Sequence, residues 1–479
     1  MTDFSPDFRH YVAGHFVSGD DAIEVLNPST EQVIGSVPEG SNAMVDEAVA
    51  AAKAAQVSWG RKPANERAAP LRAMAAAIRA DIPRIADIVA MEQGKAAALA
   101  QMEVWITAEY LEYMAEWARR IEGEVISSDR PGEHMYLYRR PMGVVAGIMP
   151  WNFPFFMIAR KVAPALITGN AIVVKPSEET PYSAHAFAQV AAAAGLPDGV
   201  FSLINGRGAV TGQALVRHRD VDMISFTGSS AAGSRIMAQA AENLTKVNLE
   251  LGGKAPAIVL DDASIDLSVG VLKASKALNS GQACNSAERI FVQRGVAAEF
   301  TEKLAAAMGS INFGDARGAA PIDMGPLINR AAVDRIAAMV DDARAQGAEV
   351  LTGGQAEARG GGFHYQPTVL SGTSAGMHVE QRELFGPVLM VTPIDDLDHG
   401  IALANDSEYG LTSSIFTTNL NSAMRAISEL RFGETYVNRE NFEAIQGFHA
   451  GTRKSGIGGT DGKHGLYEYT HTQVAYIQT

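Results

Sequence analysis

Along residues 143–242 the chain alternates two patterns. Short apolar runs at 143–148, 171–174, 200–204 and 221–226 read as strands, and the segments between and after them, 158–168, 183–194, 209–218 and 230–242, carry apolar residues at helical spacing. Strands apolar on both faces and separated by helices predict a parallel sheet covered on each side, with ligands at the strand ends. A second region repeats the pattern, with strands expected at 257–260, 289–293, 388–391 and 413–416 and helices at 268–279, 298–308, 331–345 and 423–430. The glycine-rich stretch 359–363 lacks a strand-to-helix context and reads as a surface turn.

The flanking regions differ. Residues 11–13, 15–17, 23–26 and 33–37 read as short strands between turns, after which four Ala-rich stretches, 44–59, 65–78, 82–92 and 96–120, predict packed helices. Their apolar stripes read as core, with no chemical signal. Residues 125–126 and 134–139 predict a ribbon around the turn at 127–132, and 472–477 a terminal strand. Such a ribbon needs its edges covered, so ribbon and terminal strand together predict an oligomerisation arm.

Composition narrows the function classes. At about 150 residues per domain, 479 residues allow two or three domains, and 47% hydrophobic with 20% charged residues predicts a folded chain. The net charge of -14 argues against nucleic acid or an anionic membrane as partner. No secretory pattern opens the chain and no apolar run nears the roughly 18 residues of a membrane span, so a cytoplasmic protein is expected. The single cysteine excludes an internal disulfide and a thiolate metal cluster, and no metal is expected.

That cysteine, Cys284, lies among small and polar residues from Asn279 to Glu288, which allow close approach to the sulfur. It reads either as a nucleophile or as a small buried hydrophobe. The strand-end loops carry the other candidates. Asn152 stands between Pro150 and Pro154, its amide able to donate to a developing oxyanion. Lys175 and Glu178 suit a nucleotide ribose, and the carboxylate would repel a 2′-phosphate, favouring NAD over NADP. The 206–212 stretch has three residues where a dinucleotide turn has two between its last glycines, and reads equally as a plain turn. The small-residue turn 227–233 opens a helix whose amides could face a phosphate. Glu250, before Gly252 and Gly253, reads as a mobile general base or as a hinge residue. Glu383 and Phe385 could meet a ribose and a nicotinamide, or form an ordinary turn.

Taken as a set these stretches resemble the NAD(P)-dependent aldehyde dehydrogenase superfamily. PWNFP at 150–154, KPSE at 175–178, FTGS at 226–229, ELGGK at 250–254, GQAC at 281–284 and ELFGP at 383–387 all stand in the family's order, and the resemblance spans nearly the whole chain. It implies Cys284 as nucleophile, Glu250 as the base for hydrolysis, Asn152 with the Cys284 amide as oxyanion donors, and Lys161 in a proton relay. It further implies NAD as cofactor, with NADP less favoured. Lys175 and Glu178 would hold the adenosine ribose, Trp151 and Ser229 the pyrophosphate, and Glu383 with Phe385 the nicotinamide riboside, with Ser177 and Gly228 also binding the cofactor. One departure is Arg382, where many members have a second acid. Patterns and resemblance together give an α/β fold in three parts. These are a Rossmann-like parallel-sheet cofactor domain (1–122 and 141–251), a second α/β catalytic domain (252–450) and a small β oligomerisation arm (123–140 and 451–479). The resemblance implies a homotetramer.

The implied reaction converts an aldehyde to an acid through a cysteine thiohemiacetal and a thioester. Arg160, Asn285 and the loop 438–449, with Glu443 and His449, would line the entrance; being mostly polar, they suit a small hydroxy-aldehyde. The 440–451 and 281–285 stretches look most like the superfamily's bacterial lactaldehyde/glycolaldehyde dehydrogenases. Alternatively Arg160 pairs with Glu443 or another acid and never meets substrate, or takes the distal carboxylate of a succinate-semialdehyde-type substrate. A CoA-acylating or hydrolytic enzyme, or a non-enzymatic protein on the same scaffold, are further readings. Glu250 argues for water as acceptor, and the full set of groups argues for an enzyme.

Overall fold

The computed structural model describes residues 8–19 and 21–479. Residues 1–7 and 20, part of the segment expected in the cofactor domain, lie outside those described. Two sheets and a ribbon organise the chain. The larger sheet runs in the order Gly456–Ile457, Lys246–Glu250, Met223–Thr227, Val144–Ile148, Ala171–Lys175, Phe201–Leu203, His10–Val12, His15–Val17. The five strands from Lys246–Glu250 to Phe201–Leu203 are parallel, and antiparallel strands close both edges.

Val144–Ile148 and Ala171–Lys175 are buried at every residue, as strands covered on both faces must be. One face carries Pro154–Thr168 and Pro181–Ala193, over which Ala64–Ala80, Ile82–Gln93 and Ala97–Glu116 form a further helical layer. Asn42–Arg61, Gln213–Arg217 and Ser230–Ala240 cover the other face. The helix Pro154–Thr168 is wholly buried between sheet and helical layer. Its first-turn proline suits a position whose N–H would go unpaired, and Gly169 at φ 97 ends it.

The second sheet runs Glu349–Thr352, Thr368–Ser371, Val388–Ile394, Ala287–Gln293, Ala255–Val259, Thr412–Phe416, Glu434–Val437, parallel except for its first pair. Thr470–Gln478, Glu133–Pro141 and Glu124–Ile126 form a three-stranded antiparallel ribbon. Of the segment 451–479 expected in the arm, Gly456–Ile457 instead joins the larger sheet and Gly462–Glu468 packs on Pro154–Thr168, so Thr470–Gln478 alone pairs with the ribbon.

The strand Lys246–Glu250 is not among those the apolar pattern predicts. Its polar Lys246 and Asn248 mask the apolar signal, and Asn248 is buried because its amide donates to the Gly459 carbonyl at 2.8 Å. Among the described residues no helix is long and apolar enough to cross a membrane.

Candidate active site

The Cys284 loop is built from strained backbone. Asn279, Ser280 and Gly281 all take positive φ (49, 61 and 71), which only glycine adopts freely. At Gly281 a Cβ would meet the Gly386 carbonyl at 2.3 Å. Buried Gln282 holds this turn: its amide donates to the carbonyls of Asn279 (3.0 Å) and Pro326 (3.2 Å), and its oxygen accepts from the Ile328 N–H (2.9 Å). Strain persists where its surroundings over-determine it. Cys284 is partly exposed, and its sulfur lies 4.0 Å from His449 Nε2.

Asn152 is fixed from the opposite side. Its Nδ2 donates to the Gln282 carbonyl at 3.0 Å, and its own carbonyl accepts from Lys95 Nζ at 2.8 Å and Asn279 Nδ2 at 3.0 Å. Lys95 is ion-paired with Glu103, both fully buried, and stands 3.6 Å above the Phe153 ring. Glu103 also accepts the Phe155 and Phe156 N–H groups (2.9 and 3.2 Å), satisfying the first turn of Pro154–Thr168. The helix Ala97–Glu116, expected to carry no chemistry, therefore clamps the Asn152 loop. The overlooked signal is a carboxylate on the buried stripe Ala100, Val104, Thr107 and Leu111.

Arg160 and Lys161 leave Pro154–Thr168 side by side into a nest of acids. Lys161 Nζ is 3.6 Å from Glu250 Oε2, both buried. Burial alone would raise the Glu250 carboxyl, but the positive charges of Lys161, Arg160 and His449 outweigh it and hold it below the ordinary value. Arg160 Nε bonds Asp461 Oδ1 at 3.0 Å, and its terminal nitrogen bonds Asp461 Oδ2 and, at 2.8 Å, Glu443 Oε1. The other Glu443 oxygen accepts from Asn285 Nδ2 at 2.8 Å. Burial would raise the Glu443 carboxyl, but His449 and Arg160 outweigh it and hold it at about 2. Asp461 and Glu434, which bonds His449 Nδ1 at 3.0 Å, carried no sequence signal; Glu434 begins a strand the apolar pattern did not reveal.

Cys284 opens on a cavity of about 30 Å³. One water sphere takes roughly 10–15 Å³ on such a measure, so the space suits a few heavy atoms. Asn152, Arg160, Asn285 and Glu443 line it, together with Met102, Ile106, Phe156 and Met157. The wall is thus mixed, not mostly polar as expected, because Met102 and Ile106 of helix Ala97–Glu116 and Phe156 and Met157 of helix Pro154–Thr168 supply an apolar side.

A second cleft opens at the ends of strands Val144–Ile148 and Met223–Thr227. It has a volume of about 410 Å³ and is flanked by Gly208, Val216, Phe226 and Ile236. Apolar walls suit an adenine, and Gly208 leaves open space where a Cβ would sit. Lys175 Nζ bonds Glu178 Oε2 at 3.0 Å, and Glu178 Oε1 accepts from the Gly208 N–H at 3.3 Å. Burial would raise Glu178, but Lys175 and backbone donors keep it below the usual carboxylate range. Ser177 is buried, and its hydroxyl accepts from the Glu179 N–H. The Ser229 hydroxyl caps Ser230–Ala240 through the Ala232 N–H, and the Gly228 N–H donates to the Glu250 carbonyl at 3.0 Å.

Trp151 and Phe385 meet edge to face at 5.5 Å. Glu383 accepts from the Gly253 N–H at 2.7 Å, and burial pushes its carboxyl up to about 7, with Glu288 adding to the effect. The candidates therefore divide in three. Asn152, Arg160, Lys161, Glu250, Cys284, Asn285, Glu443 and His449 form one connected cluster. Lys175, Ser177, Glu178, Gly228 and Ser229 follow the strand ends toward the adenine-shaped cleft, and Trp151, Glu383 and Phe385 form a separate aromatic and acidic corner. These residues fit a dinucleotide.

A family model described as "Aldehyde dehydrogenase family" matches residues 16–475. The chain is 54% identical to lactaldehyde dehydrogenase of Escherichia coli (strain K12), covering 98% of each chain. A crystal structure of the E. coli lactaldehyde dehydrogenase superposes with a TM-score of 0.97, covering 98% of this chain and 99% of that one. Betaine aldehyde dehydrogenase from Staphylococcus aureus, in complex with NAD+, is 33% identical with a TM-score of 0.96, covering 98% of this chain and 94% of that one.

Proposed function

The chain belongs to the aldehyde dehydrogenase family, and from that premise we propose that it oxidises a small hydroxy-aldehyde, lactaldehyde or glycolaldehyde, to the carboxylic acid. The observation that carries this reading is the small cavity beside Cys284, lined by Asn285 and Glu443 as well as by Ile106, Phe156 and Met157, with His449 Nε2 4.0 Å from the sulfur. Asn285 and Glu443 can bond a hydroxyl, and a cavity of about 30 Å³ suits a short aldehyde. The relative named above acts on lactaldehyde, in keeping with this chemistry.

The residues take roles in sequence. The Cys284 sulfur attacks the aldehyde carbon to form a thiohemiacetal. Charge developing on its oxygen is met by the second N–H of the Asn152 amide, the first being held by Gln282, and by the Cys284 backbone N–H. When bound, NAD supplies the hydride acceptor, held by Lys175, Glu178, Ser229, Trp151, Glu383 and Phe385. A thioester is left on Cys284. Glu250, kept ionised by Lys161, takes a proton from the water that attacks the thioester carbonyl and releases the acid.

The ionised Glu178 favours NAD, because a 2′-phosphate beside it would place like charges together. A semialdehyde substrate is disfavoured because Arg160 already holds Asp461 and Glu443. The ribbon and Thr470–Gln478 present exposed Val125, Tyr476 and Ile477, and we propose that a second copy covers them in a homo-oligomer. Steady-state comparison of L-lactaldehyde, glycolaldehyde, succinate semialdehyde, betaine aldehyde and hexanal tests the substrate reading. The hydroxy-aldehydes should lead in kcat/KM by at least roughly tenfold; preference for hexanal sinks the reading.

A further inference from the structure

We propose that His449 is the base partner of Cys284, taking the thiol proton on Nε2, and that Glu434 is a positioning residue that aims the ring through Nδ1. The inference rests on Cys284 being the nucleophile and assigns its activation, leaving Glu250 to the later hydrolysis.

Three contacts link four side chains in one line. The Tyr436 hydroxyl donates to Glu434 Oε2 at 2.7 Å, Glu434 Oε1 lies 3.0 Å from His449 Nδ1, and Nε2 faces the sulfur at 4.0 Å. A carboxylate at Nδ1 places a proton there, so Nε2 is the nitrogen free to receive another. The backbone of His449 is pinned by a reciprocal pair of 2.9 Å hydrogen bonds with Thr460. The side chain is almost wholly buried, so water competes little for the ring.

The surrounding charge favours a cation at this position. Around the ring stand Glu434 from the strand Glu434–Val437 and Glu443 at 3.9 Å from the loop after it, and the charges of Asp461 ahead of Gly462–Glu468 and Glu250 at the end of its strand also act on it. Against these four acids stand Arg160 and Lys161, both from Pro154–Thr168. A proton on His449 reduces the imbalance. Burial alone would lower the imidazole, and Glu443, Cys284 and Glu434 outweigh it to hold it well above the ordinary histidine value, while Arg160 opposes. The proton count balances within the pair: starting from thiol and neutral ring, the S–H bond breaks, an N–H bond forms at Nε2 and the electron pair stays on sulfur, and the acids around the ring keep that proton on nitrogen. Without His449 the same acids would oppose a negative sulfur.

The test is alkylation by iodoacetamide of the full-length, cofactor-free protein between pH 5.5 and 9. Cys284 is the only cysteine in the sequence, so the rate reports this sulfur alone. Iodoacetamide carries no hydroxyl, so a role for His449 confined to substrate binding would leave the rate unmoved. In the native protein the rate at pH 6.5 should stay within about threefold of that at pH 8.5. In His449→Asn it should fall roughly 50-fold over that span, as for an ordinary thiol near 8.5. Glu434→Gln should lie between. Profile shape is compared, since intrinsic nucleophilicity also changes with basicity. A native profile that already falls like an ordinary thiol overturns the proposal whether or not the variants fold, and so do variants that superimpose on the native curve. Loss of NADH production in step with alkylation tests the nucleophile assignment separately.

Discussion

Lys95→Met should uncouple the Asn152 loop from its support. The substitution keeps the length of the buried stem and removes one charge of a pair that is 0% exposed on both sides. Glu103 would then be left buried, with the Phe155 and Phe156 N–H groups but no cation. Breaking such a pair costs about 3–5 kcal/mol. The Asn152 carbonyl would keep Asn279 Nδ2 at 3.0 Å and lose Lys95 at 2.8 Å. Misplacing a catalytic group by an ångström can cost about a hundredfold in rate, so kcat should fall at least roughly tenfold. The double variant Lys95→Met/Glu103→Gln leaves no buried charge and keeps an amide oxygen for the two N–H groups, so it should recover more than half of the lost stability. Urea unfolding of all variants, with kcat from NADH absorbance, measures both effects. A single variant within about 1 kcal/mol of the native protein and with native kcat would refute the clamp.

Three further outcomes follow from the same geometry. Glu383, pushed up to about 7, is about a tenth ionised at pH 6 and about nine tenths at pH 8. If the ionised form accepts the ribose hydroxyls, cofactor affinity should rise roughly tenfold over that interval and flatten in Glu383→Gln, as read by NADH fluorescence titration; a flat native curve removes the ribose role. Glu178→Ser should narrow the preference for NAD over NADP by lifting the like-charge repulsion, measured as the ratio of the two kcat/KM values, and an unchanged ratio counts against it. Deleting residues 470–479 removes the whole strand paired with Glu133–Pro141, so sedimentation should show a smaller assembly; an unchanged mass rejects the arm as an interface.

The sequence and the structure agree best where one pattern dominates. The alternation from residue 143 onward predicted the strands Val144–Ile148, Ala171–Lys175, Phe201–Leu203 and Met223–Thr227 because each is buried on both faces and reads as a continuous apolar run. Cys284, Asn152 and Glu250 were legible because glycine and proline mark their loops. Lys95, Glu103, Glu434 and Asp461 were not. They act through long-range pairs, separated by 57 residues for Lys95 and Asn152 and by 301 for Arg160 and Asp461. Spacing along a single element cannot reveal such partners. Arg160 lies between these cases: its position after PWNFP left a substrate contact and a pairing with Glu443 or another acid both open, and the structure gives it two acids, Glu443 and Asp461.

Trapping the acyl enzyme addresses the chemistry most directly. Glu250→Gln, mixed with NAD and L-lactaldehyde, should give a burst of NADH equal to the number of active sites, followed by slow turnover. Mass spectrometry should find one lactoyl group on the peptide containing Cys284. Undiminished steady turnover in Glu250→Gln with no adduct on that peptide, or full NADH production by Cys284→Ser, would contradict the account.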